Sequence, residues 1–335
     1  MRVCYHLTIP PSDWAACDAL VQEAQALQAH FGGVIHHLYP ARRPGTRFPR
    51  LFWGILRWPK LWWIERHVTL HHFYNPDPYP FAILSLLWRP VIYTVSAGVR
   101  PGDRRNAQRL AHHVHTLVVA TLVDRERLQR WGIDNVAVVR PGMDLTRFST
   151  VPLPPDLPPT LLMGSAPWTH AQFRSKGVDA LLDMARRWPD LHLVFLWRGL
   201  LYDEMLQRVR ALGLGDRVEV INEQVDVAAV LARVHAAVIL ATEGATIKAY
   251  PHSLLEALAV GRPVLVSRVV PMAIQVRQCG YGVVVAEINV PGIQRAVKQL
   301  FRDYLHYQQR ALGFNKRNFT LDKMLASYAK IYSDT

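Results

Sequence analysis

Residues 248 to 267, KAYPHSLLEALAVGRPVLVS, contain the group of side chains best suited to chemistry. Pro251 suits the first position of a helix, where the missing N–H is no loss. The backbone N–H groups of 252 to 254 are then predicted to face an anion, because the first turn of a helix has no internal partners for them. Glu256 lies one turn further on, where a carboxylate can accept hydrogen bonds from vicinal hydroxyls such as those of ribose. An anion beside a ribose indicates a nucleotide.

The same residues predict the elements that position this group. Leu254, Leu255 and Leu258 recur at helical spacing, Gly261 suits the helix end, and 264 to 266 form an apolar run typical of a strand buried on both faces. In open parallel sheets, ligands bind beyond the carboxyl ends of the strands, where such a helix begins. The alternative is an ordinary Rossmann-like helix and strand without a ligand.

This stretch resembles the C-terminal signature of retaining glycosyltransferases of the GT-B fold, in the large family 4 that includes sucrose synthases and bacterial mannosyltransferases. Five residues fall on the family pattern: Glu256, Ala257, Gly261, Pro263 and Val264. Lys248 stands where the family has a first Glu, but Tyr250 to Glu256 resembles a Tyr-Pro-x-x-Leu-Leu-Glu form found in some branches.

Two further motifs occur in the order that the family has them. Residues 140 to 148, RPGMDLTRF, are similar to a Pro-x-Gly-Val-Asp-x-x-x-Phe motif that ends the N-terminal domain. Gly142 is expected to permit a turn with positive φ there, and Asp144 to cap the next turn. Lys176-Gly177 matches a Lys-Gly pair whose cation binds the donor diphosphate, whereas Ser165 replaces an Arg. Arg174 is the substitute we expect, since a guanidinium grips two phosphate oxygens; the alternative is a plain surface charge.

The resemblance implies a site made of four groups of residues. Its catalytic residues are Lys176 and Arg174, and its nucleotide and diphosphate ligands are Gly164, Ser165, Lys176, His252, Ser253, Leu254, Leu255 and Glu256. The donor sugar is expected at Lys248, Ala249, Tyr250 and Pro251, and the acceptor at Ser96, Arg100 and His72. Ser96 stands where the family often has a His, so a strong general base is not expected at that position.

The expected fold class is α/β, with two Rossmann-like parallel-sheet domains that face each other across a cleft. Strands and helices alternate throughout, which favours parallel sheets with right-handed crossovers. The expected elements include a first helix capped by Ser12, strands over His67 to Phe73 and Thr160 to Met163, and a long polar loop before Arg174. We expect an acceptor domain over 1–150, a Pro-rich linker over 151–159, a nucleotide-sugar domain over 160–312, and a C-terminal helix over 313–335 that returns to the first domain.

Composition limits the partners and the compartment. The 335 residues carry a formal net charge of +13, which indicates an anionic partner such as a phosphorylated substrate, a membrane surface or nucleic acid. The three cysteines show neither disulfide nor zinc spacing. No signal-peptide layout opens the sequence, so a cytoplasmic location is expected. No cofactor is expected, since the nucleotide-sugar is a substrate. No metal is expected, because the adjacent His71 and His72 point to opposite faces of a strand and cannot readily hold one ion together.

Residues 42 to 66, RRPGTRFPRLFWGILRWPKLWWIER, interleave basic residues with tryptophan. One interpretation is a segment that enters the anionic inner face of a membrane, since each Lys or Arg near such a surface contributes about 1 kcal/mol. Another is a core helix whose arginine stems cover the aromatic rings. A third, stacking on single-stranded nucleic acid, is disfavoured, and no nucleic-acid partner is expected.

The sequence therefore predicts a retaining glycosyltransferase that moves a sugar from a nucleotide diphosphate-sugar to a sugar or lipid-linked acceptor, without a metal. The alternative is a catalytically silent scaffold of the same fold that binds a nucleotide or a protein. Lys248, Ser165 and Ser96 motivate this alternative, because each replaces a residue that the family uses.

Overall fold

The computed structural model describes residues 2–11, 18–41, 46–197, 200–244 and 247–335. The described chain divides into two compact units. Unit 1 comprises Met1–Met143 and Arg317–Thr335, and unit 2 comprises Asp144–Lys316. The change between units at 143/144 falls seven residues before the domain end that the sequence suggested, and the expected linker lies within unit 2.

In the described part of unit 1, helices alternate with the strands of a parallel sheet. The strands are β1 (Val3–Leu7), β2 (Gly33–His37), β3 (Leu70–Asn75), β4 (Val91–Val95), β5 (Thr116–Val119) and β6 (Val136–Val138). The helices among them are α1 (Ala19–Phe31), α2 (Trp58–Glu65), α3 (Arg104–Ala111) and α4 (Leu122–Arg130). Short 3₁₀ helices cover Arg50–Phe52, Ile55–Arg57, Ala82–Leu86 and Pro101–Asp103.

Unit 2 repeats this alternation. Its strands are β7 (Thr160–Met163), β8 (His192–Leu196), β9 (Val218–Ile221), β10 (Ala236–Ile239), β11 (Val264–Ser267) and β12 (Gly282–Val285). Its helices are α5 (His170–Ser175), α6 (Val178–Arg187), α7 (Tyr202–Ala211), α8 (Val227–Ala232), α9 (His252–Val260), α10 (Ala273–Cys279), α11 (Val290–Arg302) and α12 (Tyr304–Leu312). A 3₁₀ helix (Lys316–Phe319) and helix α13 (Leu321–Ser333) complete the described chain and lead back into unit 1.

Both sheets place their first strand in the interior. The strand order is β2-β1-β3-β4-β5-β6 in unit 1 and β12-β11-β10-β7-β8-β9 in unit 2, with parallel pairing throughout the described residues. Strand order therefore reverses between β7 and β10 in unit 2. Crossovers leave this point on opposite faces, and the crevice beyond the strand ends is where open α/β sheets bind ligands.

The C-terminal helix α13 packs in unit 1 through its apolar and tyrosine side chains. Met324, Tyr328 and Tyr332 are buried. Gly142 meets this helix closely, because a Cβ there would lie 2.7 Å from Met324 Cβ. The expected positive φ at Gly142 is wrong, since this residue is absent from the positive-φ glycines of the structure; the reason for glycine is space.

Several predicted elements differ in their bounds. Asp18 caps α1 with its carboxylate, whereas the expected cap, Ser12, lies outside the described residues. The strand predicted from His67 begins at Leu70, because α2 and its turn extend to residue 67. The expected polar loop before Lys176 contains the short helix α5.

The tryptophan-rich segment separates into buried and exposed side chains over residues 46 to 66. Trp53 and Trp58 are half-buried against the core of unit 1. Trp62 and Trp63, by contrast, are exposed on α2. The core interpretation therefore holds for the first pair only. None of the described helices is both long enough and apolar enough to span a bilayer.

Candidate active site

The carboxyl end of β7 lies at the point where strand order reverses in unit 2, and it continues into Gly164 and Ser165. Lys176 follows α5 and directs its ammonium to this end: Nζ donates to Ser165 Oγ (3.2 Å) and to the Ala166 carbonyl (2.9 Å). The Lys176 side chain is buried. The desolvation cost of a buried ammonium favours an anion at close range.

Gly177 allows Lys176 to take this position. Its φ of 70° places it in the left-handed region, and a Cβ there would lie 2.8 Å from Leu240 Cδ1, just beyond β10. Any other residue would therefore combine backbone strain with a clash at this strand end. The Lys-Gly pair is thus explained by one residue that supplies charge and one that permits close packing.

The start of α9 lies beside the end of β7. A Cβ on Gly164 would lie 3.0 Å from Ser253 Cβ, so the bare backbone of Gly164 packs against the first turn of the helix. Pro251 is the N-cap, one position before the expected one, and its carbonyl accepts from the amides of Leu254 (3.1 Å) and Leu255 (3.2 Å). Because the Leu254 amide already has an acceptor within the helix, the Ser253 amide is the better candidate donor to phosphate.

Glu256 lies one turn into α9 in a nearly dry position. Its side chain is 14 % exposed, and Arg147 approaches it at 3.8 Å (Nη2 to Oε1). Burial raises the pKa of Glu256 from 4.5 to about 7, and the positive charge of Arg147 opposes this shift. A carboxyl group that is half ionised near neutral pH can both donate to and accept from vicinal hydroxyls.

The four residues expected around the donor sugar precede α9. Lys248 is half-buried, with Nζ 3.5 Å from His252 Nε2, so the two side chains face each other. Ala249 is completely buried, and Tyr250 and Pro251 are also buried. Of these four, Lys248 is therefore the best placed to contact a ligand through its side chain.

Arg174 lies in the last turn of α5, two residues before Lys176, and its side chain is exposed. In the sequence, Arg174 lies between Ser165 and Lys176, in the segment where the substitute cation is expected. The exposed side chain is compatible with a diphosphate ligand and with a plain surface charge.

The residues expected on the acceptor side belong to unit 1, at the carboxyl ends of β3 and β4. Ser96 is buried, with its amide and hydroxyl directed to the Asn75 carbonyl (2.9 and 3.4 Å). Arg100 pairs with Asp103 (Nη2 to Oδ1, 2.9 Å) at the start of α3. These contacts give Ser96 and Arg100 structural partners within unit 1.

The structure does not support His72 as an acceptor residue. Its ring is completely buried, with Nδ1 2.7 Å from Tyr332 Oη and Nε2 2.8 Å from Thr94 Oγ1. Burial holds its pKa at about 3, so the ring is neutral at physiological pH. His71 points to the opposite face, as alternation along a strand requires, and contacts Glu65.

Arg147 is the residue of this site that the sequence analysis missed. It lies in the motif over 140–148, which suggested a turn and no ligand contact. Asp144 does form that turn, accepting from the Thr146 amide at 3.1 Å. The turn brings the next residue, Arg147, to Glu256. The sequence feature that could have indicated this contact is the basic residue directly before Phe148 of the motif.

A protein-family model matches the part of the chain that contains most residues of the candidate site. Residues 170–318 match the family model described as "Glycosyl transferases group 1". The match includes Lys176, Lys248 and Glu256, and it begins at the first residue of α5. No curated protein sequence gives a significant match.

Solved structures of similar fold cover the whole chain. Anabaena Alr3699/HepE in complex with UDP-glucose aligns at a TM-score of 0.72 and 14% identity over 100% of both chains. Sucrose-phosphate synthase from Thermosynechococcus elongatus gives 0.70 and 15% over 100% of this chain and 99% of its own. WaaG, a glycosyltransferase involved in lipopolysaccharide biosynthesis, gives 0.65 and 15% over 99% and 98%.

The fold class expected from the sequence is confirmed. The molecule has the GT-B fold, with two parallel six-stranded α/β units over the described residues. Within it, residues 170–318 are the part that matches the glycosyl transferases group 1 model.

Proposed function

We propose that the protein is a retaining glycosyltransferase that moves a sugar from a nucleotide diphosphate-sugar to an acceptor. The observation that carries the proposal is the buried Lys176 ammonium at the end of β7, in a site that also contains the start of α9. Similar structures contain UDP or UDP-glucose, which supports a nucleotide-sugar donor.

In this proposal, unit 2 binds the donor. Lys176, assisted by Arg174 and by the Ser253 amide, stabilises the negative charge that develops on the departing diphosphate. Such preorganised charge stabilisation is commonly the largest contribution to catalysis. Glu256 holds the ribose hydroxyls, and Lys248 faces the sugar. The reaction as proposed needs no metal or other cofactor, because side chains and backbone dipoles supply the positive charge.

A panel of uridine, guanosine and adenosine diphosphate sugars tests the activity. Release of nucleoside diphosphate from at least one donor, with a sugar acceptor or with water, is the expected result. NMR of the product with an α-linked donor should show an α anomer, since retention is proposed. An inverted product would overturn retention while leaving transfer intact.

Replacing Lys176 with Ala tests the diphosphate site. We expect turnover to fall by about 100-fold or more, by analogy with the loss of one oxyanion donor. Lys298→Ala, at an exposed position of α11, is the matched control and should leave turnover unchanged. Unchanged transfer and nucleotide affinity in Lys176→Ala would contradict the assignment.

The acceptor is proposed to be a lipid-linked or envelope glycan at an anionic membrane surface. Leu51, Phe52, Trp62 and Trp63 are exposed, and so are Leu86 and Trp88. The Trp88 amide donates to Glu65 of α2 (2.7 Å), and the 3₁₀ helix Arg50–Phe52 packs against Ala82–Leu86. These side chains, with the exposed Lys60, Arg66 and Arg89, define the aromatic-basic surface.

A second candidate function is a silent scaffold that binds a nucleotide without turnover. It is favoured by one specific observation: Ser165 occupies the arginine position of the family pattern and accepts the Lys176 hydrogen bond, so one expected cation is absent from this position. Nucleotide binding by calorimetry without hydrolysis or transfer of any donor in the panel would establish this alternative.

A further inference from the structure

A cluster of three side chains that can bind a metal, one cysteine and two histidines, lies in the core of unit 1. Cys4 and His6 alternate on one face of β1, and His71 lies on β3 directly beside Cys4. One donor atom from each residue lies within 4.8 Å of the other two, and all three residues are completely buried. The three belong to neighbouring strands, so the sheet itself holds the donor atoms together.

The second nitrogen of each imidazole has a partner of its own. His71 Nε2 lies 3.2 Å from Glu65 Oε1, which also accepts from the amides of Trp88 (2.7 Å) and Arg89 (3.0 Å). Since a carboxylate only accepts, His71 donates through Nε2 and directs the lone pair of Nδ1 to His6 Nε2, 2.8 Å away. His6 Nδ1 in turn lies 3.3 Å from His36 Nδ1.

This arrangement matches the environment of a metal-bound histidine. Metal-binding imidazoles almost always donate their other N–H to a carboxylate or similar acceptor, which fixes ring orientation and tautomer. His71 has this relation to Glu65, and His6 has it to His36, while the sulfur of Cys4 completes the three donors. Thiolate and imidazole together suit zinc, which is borderline soft.

We propose that Cys4, His6 and His71 bind one Zn²⁺ ion in the core of unit 1. Charge balance favours Zn²⁺ over a monovalent ion, because the Cys4 thiolate and the Glu65 carboxylate together neutralise two positive charges in a buried site. The ion joins β1 to β3 and is separate from the proposed donor site, which belongs to unit 2.

The competing account is a metal-free hydrogen-bonded chain from Glu65 through His71 and His6 to His36. Such a chain satisfies His71 and His6 but gives Cys4 no role. In both accounts the buried His36 Nε2 has no hydrogen-bond partner among the described residues: it carries a lone pair in the metal-free chain and an N–H in the metal site. The two accounts differ in metal content, in the role of Cys4 and in the direction of the His6–His36 hydrogen bond.

Metal analysis of the full chain, purified without a polyhistidine tag and dialysed against Zn²⁺ and then buffer, decides between them. We expect about one zinc per chain, and Co²⁺ loading should give a thiolate-to-cobalt charge-transfer band. Cys4→Ser should abolish the band, whereas Cys279→Ser, the matched control in unit 2, should retain it.

Wild-type measurements keep the proposal falsifiable even if Cys4→Ser does not fold. Removing zinc with a chelator should lower the melting temperature of the wild type, and added Zn²⁺ should restore it, since an ion bound only to the native state stabilises that state. Wild-type protein that retains no zinc and gives no cobalt–thiolate band would overturn the site and establish the hydrogen-bonded chain. Neither result bears on donor binding in unit 2.

Discussion

Glu256 is a site residue whose pKa is raised by burial. Its pKa is about 7 in the folded protein and near 4.5 when exposed, because burial disfavours the carboxylate. Between these values the native state binds more protons than the unfolded state, so the free energy of unfolding falls as pH rises through this window. At about 1.36 kcal/mol per pKa unit, the loss amounts to roughly 3 kcal/mol at most.

Replacing Glu256 with Gln should remove this pH dependence. As pH rises from about 4.5 to 7, the free energy of unfolding of Glu256→Gln should increase relative to that of wild type, by roughly 3 kcal/mol at most. Denaturant unfolding at several pH values measures the difference. Glu287→Gln, at an exposed residue paired with Arg295, is the control. Parallel curves for Glu256→Gln and wild type would contradict the raised pKa.

Lys248 reverses the charge that the family pattern has at its position. If its ammonium faces the sugar, it favours a donor that carries a carboxylate, such as a uronic acid, because opposite charges attract at close range. Lys248→Glu should therefore shift donor preference from uronic to neutral sugars. The ratio of kcat/KM for a uronic acid donor and its neutral counterpart measures the shift, and an unchanged ratio would remove the argument.

The role of a single residue can be predicted from the sequence where one local motif determines both where its side chain lies and which charge it supplies. Lys176 and Gly177 form such a motif, and the structure explains each by charge or by space. Arg147 and the group of Cys4, His6 and His71 were missed for a different reason. Their contacts arise from a folded turn and from the register of β1 beside β3, which local spacing does not reveal.

At the scale of elements, α2 and its neighbouring turns determine which tryptophans can reach a membrane. Trp62→Ser with Trp63→Ser should leave circular dichroism unchanged and reduce co-sedimentation with anionic vesicles, because both rings are exposed. Trp53→Ser with Trp58→Ser is the matched control for core packing. That pair should lower stability by less than the about 3 to 5 kcal/mol of a fully buried aromatic, since both rings are half-buried.

Salt separates the electrostatic and apolar parts of this association. Binding through Lys60, Arg66 and Arg89 should weaken from low salt to 0.1 M ionic strength, where screening acts over about 10 Å. Insertion of Trp62 and Trp63 should resist salt. Wild-type protein that fails to sediment with anionic vesicles at low salt would contradict the membrane surface and favour a soluble acceptor.

Elements were predicted best where burial produces long apolar runs. Apolar runs predict strands such as Thr160–Met163, which has the same bounds in the structure as β7, but they predict no strand over 282–285, where β12 lies. Helix α5 was missed because its six residues are too few to show apolar periodicity, and Phe173 is its one buried residue. The tryptophan segment was ambiguous for a physical reason: the same residue types serve a core and an interface, and only tertiary packing separates them.

At the scale of the whole molecule, α13 completes unit 1 through buried hydrogen bonds. Tyr332 Oη contacts His72, and Tyr328 Oη contacts Thr94 at 2.9 Å. Changing both tyrosines to Phe should leave buried groups unsatisfied, at a cost of about 1 to 3 kcal/mol each. Amide hydrogen exchange should then accelerate in β3 and β4 and stay unchanged in unit 2. Tyr307→Phe, in α12 of unit 2, is the control, and equal acceleration in both variants would contradict this role of α13.

Arg262 fixes where unit 2 begins. Its fully buried guanidinium donates to the carbonyls of Leu231 (2.9 Å) and Ala232 (2.8 Å), and it also bonds the Val151 carbonyl. The Val151 amide bonds Val260. The Pro-rich segment expected as a linker is therefore held against unit 2, which explains why the unit boundary lies before it.

Because the chain enters unit 2 at residue 144 and leaves it at residue 316, unit 2 is inserted within the sequence of unit 1. During synthesis, the ribosome completes all of unit 2 before it makes α13. Domains generally fold as units while the chain emerges. Unit 2 can therefore reach its native state first. Until α13 is made, Tyr5, His72 and Tyr74 stay uncovered on the face of the unit 1 sheet that this helix covers. Unit 1 is then the later of the two units to complete its fold, and a nascent chain that lacks α13 should expose this aromatic face to chaperones.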